Sequence, residues 1–387
     1  MEFLGSMGGA AGSLLGYVIP FLAVLTVVVF IHELGHFLVG RWCGVGVTAF
    51  SVGFGPEIVG FNDRRGTRWK LSAIPLGGYV KFAGDINSAS VPDADALSQM
   101  SAHERAVSFH HKPVWKRAAI VAAGPIANFL LAITLFAAIS YVSGQQVLAP
   151  RIEAVQAGSA AERAGFQAGD LVLSIDDRPI SGFGQMQRII SASAEDTLAF
   201  TVERGGREIV LNAVPDLKET QTPFGKQRIG LLGLQASRSP DDLKTVTFGV
   251  ADSMAFGVRE TRYVVERTMT YISRLVVGRE YADQLSGPLR IAQVSGTVAS
   301  LGGVSALISL VAVLSVSIGL INLFPIPLLD GGHLLFYGIE ALRGRPLSDR
   351  AQEIGFRIGL AIVVMLMLFA TWNDIVHLGS AFSSRGT

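Results

Sequence analysis

The 387-residue chain holds a single cysteine, Cys43, so no internal disulfide can form and no cysteine cluster can bind a metal. Charge is scarce too: Asp, Glu, Lys and Arg make up 16% of the residues, and the formal net charge is +1. No basic patch interleaved with aromatics occurs, so no nucleic-acid partner is expected. Residues 1–13 contain no Lys or Arg. The positive n-region of a cleaved signal peptide is missing, and the first hydrophobic segment is expected to stay.

Charge is absent altogether from residues 14–31 and 118–142. With half of its residues hydrophobic and a mean hydropathy of +0.44, the chain reads as a polytopic α-helical membrane protein. Four transmembrane helices are predicted, in segments 1–44, 118–142, 303–333 and 355–377. Between the first two lie a β-rich, membrane-associated loop over 45–84 and a polar loop over 85–117. An α+β domain is expected over 145–236, and an amphipathic helix within 243–302, where Val258, Val265, Met269, Ile272 and Val276 share one face.

Basic residues orient these spans. Arg64, Arg65, Arg68, Lys70 and Lys81 sit between spans one and two, and Arg343, Arg345, Arg350 and Arg357 between spans three and four. The positive-inside rule then makes both loops cytoplasmic and puts both termini and the 145–236 domain outside.

What the chain does have is Ile31-His32-Glu33-Leu34-Gly35-His36, directly after the uncharged run. Histidines four apart on a helix project from nearly one face, so both can reach one metal, and the glutamate between them can act as base toward water. Ionisable groups at membrane depth are costly and mark function. A catalytic zinc needs a third ligand. Asp330, in the Pro- and Gly-rich stretch from Asn322 to His333, is the preferred candidate at the same depth, with His333 as the alternative. Asn322 is placed to donate to a developing oxyanion. His110-His111 is read as no metal site, because adjacent histidines rarely converge on one ion.

These residues resemble the site-2 protease family of intramembrane zinc metalloproteases, and among them the bacterial regulator-of-sigma-E protease (RseP) branch. The likeness covers nearly the whole chain. It rests on the histidine motif, on Ser51 to Pro56, Ile74 to Lys81, Ala122 to Phe129 and Leu285 to Pro288, and on Asn322 to Gly332. It implies that His32, His36 and Asp330 hold Zn2+, that Glu33 is the general base, and that Asn322 assists catalysis. It further implies that Gly53, Phe54, Gly55 and Asn128 contact substrate. The expected substrates are single-span membrane proteins of the bacterial inner membrane, pre-trimmed by another protease, such as anti-sigma factors or signal-peptide remnants. The 145–236 segment resembles a PDZ domain, present once where the branch resembles a tandem pair. The rival reading is a catalytically inactive PDZ adaptor with a structural metal. A metal transporter fits poorly, since the spans lack a string of ionisable residues.

Overall fold

The computed structural model describes residues 2–85, 100–222, 225–237, 239, 242–280, 282 and 285–383. Two compact units are present: residues 1–136, 257–265 and 286–387 form one, and residues 137–256 and 266–285 the other. The chain begins with α1 (Glu2–Trp42), β1 (Val47–Asn62), β2 (Arg68–Phe82), α2 (Ala102–Val107) and α3 (Val114–Ser143). It continues through β3 (Gln145–Leu148), β4 (Ile152–Val155), α4 (Ala160–Ala164), β5 (Leu171–Ile175), β6 (Arg178–Pro179) and α5 (Phe183–Ala192). Next come β7 (Leu198–Arg204), β8 (Arg207–Ala213), β9 (Asp216–Thr222), β10 (Gly225–Leu231), β11 (Leu234–Ala236) and β12 (Leu243–Val246). Last are α6 (Val250–Val276), α7 (Pro288–Asn322), α8 (Asp330–Arg343) and α9 (Asp349–Ser383).

Among the described residues, four helices are long and apolar enough to cross a membrane, over residues 15–42, 114–143, 288–322 and 350–376. The third extends N-terminally beyond the expected segment 303–333. At Gly303, with φ 59° and ψ −153°, the backbone is not helical, so α7 is two helical stretches joined at a kink, the first within the segment expected to be amphipathic. The apolar repeat from Val258 to Val276 lies on α6, as its spacing predicts. The fourth span carries a buried charge that hydropathy alone hides. The Asp374 carboxylate accepts the N–H groups of Gly287 (3.0 Å) and Arg290 (3.1 Å), capping the N-terminus of α7 from α9.

The loop after α1 is a curled sheet of two long antiparallel strands, each used twice. Phe50 pairs with Val80 on one side and Trp69 on the other, while Phe61 pairs with Trp69 further along. The expected β-rich loop over 45–84 is thus two strands, each folded back on the other. Gly53 makes the fold-back possible. Its φ is +89°, and a Cβ there would lie 2.8 Å from the carbonyl oxygen of Ile74. Phe50, Val80 and Phe82 are buried in one cluster with Phe37 of α1 and Ile120 of α3, which fixes the sheet against both helices. Residues 86–99 of the polar loop lie outside the described residues. After them Ser101 and Glu104 form a capping box that starts α2.

In the second unit a four-stranded sheet of order β6-β5-β7-β8 packs on α5 around Phe166, Val172, Met186, Phe200 and Val202. The run from Gly158 to Asp170 becomes a capped short helix and a tight loop. Ser159 caps α4 by accepting from the N–H of Glu162, and Gly165 ends it in the left-handed conformation. Asp170 is fully buried, and Arg204 of β7 grips it through Nε–Oδ1 and Nη2–Oδ2 bonds of 2.7 Å each. Burial by itself raises the Asp170 carboxyl; the Arg204 bonds and the N–H of Gln167 outweigh it and hold the group below the ordinary carboxylate range. A depressed folded-state pKa stabilises above the unfolded value and is lost as pH falls through the folded one. Asp170→Asn is therefore expected to cost about 3 kcal/mol near neutral pH. The gap to wild type should close as the pH drops below about 4. Protease susceptibility of this unit in the full-length protein, measured across pH, checks both.

Candidate metal centre

The His32 and His36 rings leave α1 on one face, with centroids 4.8 Å apart. Their Nε2 atoms lie 3.2 Å from one another. From the far end of the sequence, the Asp330 carboxylate arrives 3.1 Å from His32 Nε2 and 3.5 Å from His36 Nε2. The turn between α7 and α8 delivers it. Asn322 ends α7, and Asp330 is the first residue of α8. The Gly331-Gly332 pair allows close packing of this turn. A Cβ on Gly331 would lie 2.3 Å from the carbonyl oxygens of Leu323 and Phe324, and one on Gly332 would lie 2.4 Å from that of Ile326. The glycines let α8 close on the preceding turn. Across the first unit, Arg117 of α3 pairs with Glu340 of α8 at 2.6 Å, with both side chains largely buried, and pins α8 in place.

The donor set suits a zinc ion. Two unprotonated ring nitrogens facing each other at this separation repel unless a cation or proton lies between them. Nitrogens 2.0–2.1 Å from a tetrahedral zinc sit roughly 3.3–3.4 Å from neighbouring ligand atoms. Among the described residues, His32, His36 and Asp330 are the one such convergent group. His333 lines the same cavity but stands outside the group; its ring packs against Phe356 with centroids 5.4 Å apart. His110 bonds Asp85 at 2.9 Å and His111 bonds Ser108 at 3.1 Å, away from the cluster.

The cluster opens onto a cavity of about 350 Å³ that Glu33 and Asn322 also line. Of the turn Gly53-Phe54-Gly55, only Phe54 faces it. The neighbouring wall comes instead from Gly77, Gly78, Tyr79 and Val80 of β2, which the sequence reading named only as part of a motif block. Asn128, expected at the substrate, is fully buried, and its amide nitrogen lies 3.2 Å from His32 Nδ1, behind the ring. It is not among the residues that line the cavity, to which the same helix contributes Val121.

That backing requires close helix approach. A Cβ on Gly35 of α1 would fall 2.3 Å from the carbonyl oxygen of Ala123. One on Gly124 of α3 would fall 2.3 Å from His36 Nε2 and 2.9 Å from His32 Cε1. Small residues at the crossing let the rings lie against the α3 backbone. In the sequence Gly124 stood only within the Ala122 to Phe129 block. Replacing Gly124 with Ala is expected to push the ring nitrogens apart and lower retained zinc at least about 10-fold, the scale of losing support around a metal ligand. Elemental analysis of the purified variant measures this, with unfolding of the metal-stripped form as the control for folding.

A family model described as Peptidase family M50 matches residues 20–366. "Putative zinc metalloprotease Atu1380" of Agrobacterium fabrum is 51% identical over 97% of this chain and 100% of its own length. "Putative zinc metalloprotease mll0638" of Mesorhizobium japonicum is 49% identical over 93% of this chain and 99% of its own. "Metalloprotease MmpA" of Caulobacter vibrioides is 41% identical over 92% of this chain and 94% of its own. With a family match over most of its length and four helices able to span a bilayer, the chain belongs to peptidase family M50 and is a multi-pass membrane zinc metalloprotease.

Proposed function

We propose that this protease hydrolyses a peptide bond within the transmembrane segment of single-span membrane proteins, near the cytoplasmic face of the bacterial inner membrane. The observation that carries the reading is the convergence of His32, His36 and Asp330 at the ends of apolar helices, facing a cavity shared with Glu33 and Asn322. His32, His36 and Asp330 are the zinc ligands. When bound, the metal lowers the pKa of water to about 7 and polarises the scissile carbonyl. Glu33 takes the proton of the attacking water and passes it to the leaving amine. Asn322, across the cavity, donates to the oxyanion as it forms. Three donors leave an open position, which favours this reading over an adaptor with a closed, four-ligand structural site.

A substrate helix hides its peptide groups in internal hydrogen bonds, and it must unwind before it can be cut. The segment from Gly77 to Val80 borders the cavity, so an opened substrate strand pairing there exchanges helical bonds for sheet bonds. Phe54, at the same wall, packs on the substrate side chains. The second unit, with its single four-stranded sheet and flanking helix, is a PDZ domain outside the membrane that admits substrates already trimmed by another protease. The loop charges orient both termini outside with it.

Glu33→Gln is expected to keep its zinc and to lose cleavage of a tagged single-span reporter by at least about 100-fold, the low end for general acid–base catalysis. Comparable turnover in the zinc-loaded variant defeats the assignment. Asp330→Asn is expected to purify with little zinc; wild-type zinc content there moves the third ligand to His333.

A further inference from the structure

The two imidazoles of the cluster are held from behind in unlike ways. His36 Nδ1 lies 2.8 Å from the carbonyl oxygen of Ile120. A carbonyl only accepts, so Nδ1 carries the ring proton and Nε2 keeps its lone pair for the cluster. His32 Nδ1 faces the amide nitrogen of Asn128 at 3.2 Å. An amide nitrogen only donates, and that pairing forces the proton onto His32 Nε2, the atom directed at His36 and Asp330. A protonated Nε2 has no lone pair for a metal.

The other end of the amide resolves the conflict. Asn128 Oδ1 is buried and, among the described residues, has no hydrogen-bond partner that would hold the amide in that orientation. A half-turn about its last bond exchanges Oδ1 for Nδ2 at the ring without breaking another hydrogen bond. Oδ1 then accepts from His32 Nδ1–H, and Nε2 is free to ligate. The residue itself is firmly placed. Its backbone carbonyl accepts from Ser315 Oγ of α7 at 2.9 Å, and a Cβ on Gly319 would lie 3.1 Å from its own Cβ. Along α3, Ile120, Gly124 and Asn128 recur every four residues. They present an acceptor, a gap for the rings and a second acceptor on one face.

We infer that Asn128 is the positioning residue of the metal centre: through Oδ1 it fixes the tautomer and ring plane of His32. The assignment rests on His32 being a zinc ligand. It places Asn128 in service of the metal and away from substrate specificity.

The test is zinc retention of the purified full-length protein against increasing chelator, for wild type, His32→Ala, Asn128→Leu, Asn128→Ala and Asn128→Asp. Unfolding of each metal-stripped protein serves as the second readout. The leucine and alanine variants, which cannot accept, should release zinc at about 10- to 100-fold lower chelator while their metal-free unfolding midpoints stay near wild type. The aspartate variant, which still accepts, should hold zinc as tightly as wild type. Two results overturn the inference: wild-type retention in whichever apolar variant folds, or an aspartate variant as weak as the apolar pair. Equal zinc in wild type and His32→Ala instead overturns the ligand reading, and the inference falls with it.

Discussion

Everything at this centre depends on how closely α1 and α3 approach. Helix axes separated by ordinary side chains leave room for those side chains and little else. Here Gly35 meets the carbonyl of Ala123, and Gly124 gives up its side-chain volume to two imidazoles. The rings are wedged between backbones, and their orientation is set by helix packing more than by their own torsions. Lipid surroundings offer no hydrophobic drive to hold helices together, so small residues and buried hydrogen bonds must do it. The Ser315 bond to the backbone of Asn128 and the Asp374 cap on α7 are of that kind.

The third donor reaches the pair by a different device. α7 stops at Asn322, and the Pro325 and Pro327 turn reverses the chain. Asp330 then enters at the N-terminus of α8, where the helix dipole favours a carboxylate. Leu328 adopts φ 100° in this turn, a strained conformation for a branched side chain, and strain of this sort is kept where the surroundings over-determine the backbone. Arg117 and Glu340 tie the other end of α8 to α3. One helix, α3, therefore anchors both histidines and the element that carries the aspartate. This common anchor brings together residues nearly three hundred positions apart.

The fold was largely legible in the sequence, and the reason is physical. An uncharged run of bilayer length has few stable alternatives to a spanning helix, and alternation broken by glycine has few alternatives to a strand and a turn. The β-rich stretch after α1 was expected from its pattern, but that it forms two strands, each used twice because Gly53 folds the first back, demands long-range pairing to see. The expected start of the third span at 303 falls at the kink of α7, and the helical stretch before it was not foreseen as part of the span.

The candidate site divides along the same line. Sequence alone determined the His32/His36 pair and the glutamate between them, because helical pitch places positions i and i+4 on one face whatever the rest of the chain does. Tertiary structure alone decided that Asp330 and not His333 meets that pair, that Gly77 to Val80 walls the cavity in place of Gly53 and Gly55, and that the Asn128 amide lies at His32 Nδ1. Those outcomes turn on which helix faces touch. Contact across such distances is fixed by packing volumes and crossing angles, which no local spacing encodes.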